Sequence, residues 1–548
     1  MNLKNLRFSF LKATFINFVL FSIASTLSAQ SPSGELRAGQ WQIAGQNLAN
    51  TWSQPAEHSI SPANVNTLSP KWVFTTGGDV SATPTVDGDA LYFPDWAGNL
   101  FAVRKDSGRL IWSHKISEYD AVDGAISRVS PAVDGNQLII GDILSSKEVH
   151  SGANVIAVDK QRGTLRWITQ VDPHPAAIIT GSPVVFDGVV YIGVSSSEET
   201  LATNPAYPCC SFRGSVVALD AKNGSILWKT FDMPDNGGRT DQYSGGAVWQ
   251  PPAIDPKRGT LFIGTGNNYT VPAEVVACQK ATPTAVCTAP DDFFDAALGL
   301  DLKTGQVKWS KKLQGFDTWT VACILPGAGT NPNCPVPSSP DFDLGGSGPN
   351  LVGNIVGFGQ KSGIFWGLNP DNGNIVWSTP VGPGASLGGI EWGTATDGKR
   401  IYVAIANSDL LPYTLVPSGQ QITRGAWSAL DVATGKIIWQ TADPTPGTID
   451  RGSVSVANGV VYAGSNSGEM YALDASTGNI LWNFASGGSV IDGPSIVDGT
   501  LYWGSGYSEI RGTGNNKVYA FTLTRSKRGD GNSGNPRHGG GHSGNGDN

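Results

Sequence analysis

Charge is scarce in this 548-residue chain: Asp, Glu, Lys and Arg make up 15% of it, and the acids outnumber the bases to give a net charge of −8. A chain so poor in basic residues presents no cationic face to nucleic acid or to an anionic membrane. Cys-x-x-Cys is missing, and no neighbouring histidine completes a zinc set around the six cysteines. With no Cys-x-x-Cys-His, no c-type haem is attached to this chain. Long apolar runs are missing too. The largely apolar stretch from Ala13 to Ala24 is short for a membrane span, so an integral membrane protein is not expected.

That stretch instead reads as part of a secretory signal over residues 1–29. Lys4, Arg7 and Lys12 make a basic start, and small Ala29 sits at the cleavage edge. Its removal takes the net charge from −8 to −11. A secreted or periplasmic protein is expected. In such a compartment Cys209, Cys210, Cys278, Cys287, Cys323 and Cys334, three close pairs in sequence, point to local disulfides.

Glycine (70) and proline (34) are abundant, and they punctuate a repeat. An aliphatic-Asp-x-x-(Thr/Asn/Ser)-Gly-x-x-x-Trp unit recurs, with drift, seven times. It ends at Trp112, Trp167, Trp228, Trp309, Trp377, Trp439 and Trp482. The Asp and Thr can bond the turn backbone, Gly supplies a positive φ, and the following strand carries Trp to a buried face. A second hairpin unit, of the type SPVVFDGVVYIG, recurs eight times between these. Each pairs with one Trp hairpin into a four-stranded sheet. The eighth lacks its Trp, and Trp72 precedes all the repeats. Leu68 to Thr75 should therefore complete the last sheet. The fold expected is an all-β, eight-bladed β-propeller over residues 66–524, closed by the N-terminal strand around Trp72. Residues 30–65 read as an arm covering one face, and the Gly/Asn/His-rich residues 525–548 as a disordered tail. Insertions at 195–213, 271–294 and 321–348 each hold one cysteine pair and should gather over one mouth of the channel.

The Trp unit resembles the tryptophan-docking motif of quinoprotein propellers, the pyrroloquinoline quinone (PQQ) alcohol dehydrogenases. It also looks like that of outer-membrane assembly scaffolds, eight-bladed propellers that bind no quinone, so a non-catalytic scaffold is the alternative. The stretches YPCCSFRGSVVALDAKNG, GGAVWQPPAIDP…GTGNN, FDTWTVAC and GGIEWGTATDGKRIYVAIAN are most similar to the polyvinyl-alcohol-dehydrogenase branch of the quinoprotein family.

The resemblance implies an enzyme with PQQ and Ca²⁺ that oxidises a secondary or polymeric alcohol and passes electrons to a separate acceptor such as a cytochrome c. It places the quinone on Trp249, whose indole offers a flat partner. Thr180, Ser195 and Ser196 match hydroxyls that bond the quinone carboxylates. Arg128 and Lys361 match basic contacts, and Trp392 lies at a position near the ligand. A Cys209–Cys210 ring would cover the quinone, unless the two cysteines pair elsewhere; the other two pairs look like loop staples. Glu198, with Glu199 beside it as the alternative, Asn267 and Asp317 would supply the hard oxygens that Ca²⁺ prefers, and Asp317 would also be the catalytic base, or else support it. The chain departs from the family at Thr320, where its catalytic Asp is expected, at Ser81 in place of a Glu, and at Glu391 in place of an Asn.

Overall fold

The computed structural model of the protein describes residues 36–524, apart from 38, 145–151, 286, 327, 339–340 and 345–346. The signal expected over 1–29 and the tail over 525–548 lie outside the described residues.

Eight antiparallel sheets follow one another along the described chain, seven of four strands and one of five, in which Ala177–Ile178 joins Val184–Phe186 in pairing with Val189–Ser196. Each is numbered here as a blade, from the inner strand outwards. Blade 1 runs from Thr85–Asp87 to Leu110–Lys115, and blade 7 from Val454–Ala457 to Ile480–Ala485. Blade 8 takes Ser495–Val497, Thr500–Ser505 and Lys517–Leu523 from the C-terminal end. Its outer strand is Leu68–Thr75, which pairs antiparallel with Lys517–Leu523. The propeller and its closure are as expected from the repeat.

The tryptophans do more than fill a face. Each indole Nε1 donates to a main-chain carbonyl of the next blade: Trp72 to Lys105, Trp112 to Lys160, Trp167 to Ala221 and Trp228 to Leu302. Trp309, Trp377 and Trp439 continue to Pro370, Val432 and Ala475, and Trp482 closes the circle on Leu68, all at 2.9–3.1 Å. The turn glycine of the receiving blade allows this approach. Gly305 has φ 70°, and a Cβ there would lie 2.5 Å from the Trp228 ring. In the same turn Asp301 Oδ1 accepts the Lys303 and Thr304 N–H groups at 3.0 Å. The motif thus builds the hairpin and the joint between blades together.

The segment from Trp41 to Gln54 crosses one end of the ring. It gives or takes main-chain hydrogen bonds at Val86, Val133, Ile254, Leu351, Thr396 and Val456, residues of the inner strands of blades 1, 2, 4, 5, 6 and 7. The chain enters the inner strands, and leaves the second ones, at the opposite end.

Candidate active site

At that opposite end lies a cavity of about 370 Å³. Most of its wall comes from short stretches just before an inner strand or just after a second strand, drawn from blades far apart in sequence, and Trp319, Val321 and Ile324 come from the long connection after Val307–Lys312. Among the predicted residues, Arg128, Thr180, Ser196, Trp249, Lys361 and Trp392 line it together. Trp96 and Trp319 join them. Trp249 packs on Ile126, Ile143 and Ile178, and its Nε1 is buried without a hydrogen-bond partner. Thr180 Oγ1 lies 2.9 Å from Ser195 Oγ, and Ser195 is fully buried behind it.

Two guanidinium groups converge on Tyr507. Arg128 Cζ is 4.7 Å from the Trp392 ring centre, 5.5 Å from that of Trp96 and 5.7 Å from that of Tyr507. Arg451 Cζ is 5.6 Å from the same tyrosine ring. Arg451 is buried, with Nε unbonded, and lies 4.0 Å from Glu391 Oε2. Burial raises the Glu391 pKa, against the pull of Arg451 and Lys361. Glu391, standing where the family has Asn, is thus matched by a buried cation.

The acidic side of the cavity centres on Lys361, whose Nζ lies 2.9 Å from both Asp341 Oδ2 and Asp343 Oδ2. Burial alone would favour the neutral amine, but Asp341, Asp343 and Glu199 outweigh it and hold the ammonium well above its ordinary pKa. Glu199, also on the wall, is pushed up to about 8 by burial, with Lys361 opposing.

Several predicted residues lie elsewhere. Glu198 is fully buried, and its carboxylate accepts the N–H groups of Ser211 and Phe212 and the Tyr207 hydroxyl at 2.8–3.2 Å. It anchors the loop that follows the Cys209–Cys210 disulfide; burial pushes its pKa to about 7, against those bonds. The wall position belongs to Glu199. Cys209 and Cys210 are bonded to each other, but neither lines the cavity. The other disulfides are Cys278–Cys287 and Cys323–Cys334. Asn267 is buried, donating Nδ2 to the Asn268 and Trp319 carbonyls at 2.8 Å. Asp317 is fully buried off the wall, accepting the Phe342 N–H at 2.6 Å. Thr320 turns its hydroxyl to the Asn333 carbonyl at 2.7 Å. The first and third insertions reach the cavity through Thr200, Val321, Ile324, Asp341 and Asp343; the second does not.

Sequence reading set Glu199 beside Glu198 without choosing it, and missed Asp341, Asp343, Arg451, Tyr507, Trp96 and Trp319. A signal existed for Arg451, which precedes the inner strand of blade 7 much as Arg128 precedes that of blade 2. Asp341-Phe-Asp343 had no such register, because it lies in an insertion.

Comparison with known proteins places this arrangement. The PQQ family described as "Glucose/ethanol/alcohol dehydrogenase, beta-propeller domain" matches residues 41–322, and that described as "Outer membrane protein assembly factor BamB" matches 423–527. The chain belongs to the PQQ-dependent alcohol dehydrogenase family of β-propellers. Within it, the chain is 30% identical over 533 residues to a polyvinylalcohol dehydrogenase of Pseudomonas sp, covering 88% of this chain and 77% of that protein. The polyvinylalcohol dehydrogenase of Sphingopyxis sp. (strain 113P3) is likewise 30% identical, over 561 residues, with 90% and 78% covered. Among solved structures, the quinohemoprotein alcohol dehydrogenase from Comamonas testosteroni shares the fold, with a TM-score of 0.66 at 19% identity over 93% of this chain and 83% of that one.

The residues present suit one of the two expected cofactors. A flat, multiply anionic quinone finds an indole wall with an orphaned Nε1 and guanidinium groups on the same cavity. The calcium set does not assemble. Glu198, Asn267 and Asp317 are off the wall, and among the described residues no three His, Cys, Asp or Glu side chains converge to hold a metal ion.

Proposed function

We propose that the protein is an exported PQQ-dependent alcohol dehydrogenase that oxidises secondary or polymeric alcohols, as its polyvinylalcohol dehydrogenase relatives are named for doing. The observation that carries this reading is the cavity wall itself: Trp249 faces the same space as Arg128, Arg451 and Lys361. PQQ is planar and carries three carboxylates. Trp249 supplies stacking area, Arg128 and Arg451 supply charge-assisted hydrogen bonds, and Thr180 and Ser196 add neutral donors. When bound, PQQ supplies the two-electron acceptor for the hydride that leaves the carbinol carbon.

The chain's own residues do the rest. Lys361, locked between two carboxylates, holds a fixed positive charge where negative charge grows during reduction. Trp319, Val321, Ile324 and Leu387 keep the space around the carbinol apolar and dry. No step is assigned to a metal. Electrons would leave to a separate acceptor such as a cytochrome c. Export is supported by the signal read over residues 1–29 and by the three disulfides.

The test is to add PQQ to the purified protein, with and without Ca²⁺. Quinone absorbance retained after desalting is measured first, then dye reduction with several alcohols. Retained quinone and alcohol-dependent reduction are expected. No retained quinone would leave the scaffold reading, which the assembly-factor match over 423–527 favours.

A further inference from the structure

We propose that the uncharged strap 321–336, seated by Asn333, fits the protein to alcohols carried on a long neutral chain: it supports the part of the substrate that lies outside the cavity, beside the reacting carbinol. This rests on the dehydrogenase reading above.

A cavity of about 370 Å³ cannot enclose a polymer. One carbinol enters and the rest of the chain must leave through the mouth, so the surface continuous with the wall is part of the binding site. The strap supplies that surface. Val321 and Ile324 line the cavity, and Ile324 is also 44% exposed, so it belongs to the outer face as well. Leu325 follows it at 40%, and Val336 is 70% exposed. Leu325 and Val336 each stand two residues beyond a half of the Cys323–Cys334 bridge, which keeps them near each other. Single exposed aliphatics are ordinary; three on one stapled loop at the mouth of a ligand cavity form a patch with a use.

The charge pattern says what that patch takes. No Asp, Glu, Lys or Arg occurs from 321 to 340, nor from 200 to 212 in the insertion beside it. An ionic substrate finds no counter-charge on these two loops. A neutral chain of methylene and carbinol groups finds apolar contact, while its spare hydroxyls stay in water.

The strap is fixed to its neighbour by side-chain amides. The two hydrogens of Asn333 Nδ2 are shared among the carbonyls of Ala202, Asn204 and Tyr207, at 3.2, 2.9 and 3.1 Å. Asn331 Nδ2 reaches the carbonyls of Ala202 and Thr203, at 3.3 and 3.2 Å, and its Oδ1 accepts the Asn333 N–H at 2.9 Å. The Asn333 carbonyl accepts the Thr320 hydroxyl at 2.7 Å. Thr320, the position where the family acid is missing, thus ties down the foot of the strap. The first and third insertions form one rim, and Asn333 is its positioning residue.

The experiment compares wild type with Asn333→Ala and with a double variant, Leu325→Ser with Val336→Ser, all as PQQ-loaded full chains. Dye reduction on poly(vinyl alcohol), counted per carbinol, and on isopropanol gives kcat and KM. Both variants should raise KM for the polymer about 5- to 30-fold and leave its kcat, the isopropanol kcat/KM and quinone retention within about twofold of wild type. Leu325 and Val336 are exposed, so the double variant decides the matter even where Asn333→Ala fails to fold. A polymer KM within twofold of wild type in the double variant overturns the proposal. So does an equal loss on both alcohols, or a loss in kcat instead of KM, which would make the strap part of the catalytic fold. Failure of the dehydrogenase reading itself would show separately, as wild type that retains no quinone or reduces no dye with either alcohol.

Discussion

Arg451 offers the sharpest check on how the cofactor is held, because its two roles can be pulled apart. Its guanidinium is buried and lies 4.0 Å from Glu391 Oε2. Opposite charges that far apart attract by about 4 kcal/mol at an effective dielectric of 20. Removing one partner of such a buried pair commonly costs about 3–5 kcal/mol, because the other charge is stranded. Arg451→Gln should therefore lower stability and leave Glu391 facing the cavity with Lys361 and Arg128 as its remaining cations. Arg451→Gln with Glu391→Gln should recover most of that stability. PQQ affinity should not recover. A charge-assisted hydrogen bond to a carboxylate is worth about 1.5–3 kcal/mol, or about 10- to 150-fold in Kd. The assay is PQQ titration followed through the fluorescence of Trp96, Trp249, Trp319 and Trp392 on the wall, with thermal melts alongside. A double variant that binds PQQ within threefold of wild type would refute the role given to Arg451.

Three further outcomes follow from the structure. Trp72→Ala should cost less than the about 3–5 kcal/mol of a fully buried Trp, since the indole is only partly buried, leave the Lys105 carbonyl to the Tyr502 hydroxyl alone and loosen the ring closure; limited proteolysis should then cut first between blades 8 and 1, and a cut pattern like that of wild type would contradict the closure. Glu198→Gln should weaken the loop after Cys209–Cys210, raising its amide exchange, while PQQ binding stays near wild type; a lost cofactor would return Glu198 to the site. The pH dependence of the cofactor-free protein has a definite sign: burial raises Glu198, Asp142 and Asp292 each to about 7. Carboxyls whose folded pKa is raised bind more protons folded than unfolded between about pH 4.5 and 7, so stability should fall as pH rises through that window. Melting temperatures that climb steadily from pH 5 to pH 8 would contradict this.

The architecture was legible in the sequence because its determinants are local. Asp-x-x-Thr-Gly and a Trp four residues later fall within one hairpin, and seven such hairpins with one stray Trp72 leave a single tidy closure. The same stretch could not show that each indole reaches a carbonyl of the next blade, since that depends on how neighbouring sheets are set. Trp249, Arg128, Thr180, Ser196, Lys361 and Trp392 were found by resemblance, and tertiary structure brought them to one cavity. It also decided between Glu198 and Glu199. They are neighbours in a single helical turn, where successive side chains diverge by about 100°, so one anchors the disulfide loop and the other meets the cavity. Above all it decided where the acids are. Asp341 and Asp343 reach Lys361 because an insertion folds back over the ring, held by Asp317 and Asn267. Arg451 and Arg128, 323 positions apart in sequence, both lie against Tyr507, because a ring brings the entrances of blades 2 and 7 to the same mouth. Local pattern determined the blades; closure of the ring determined the site.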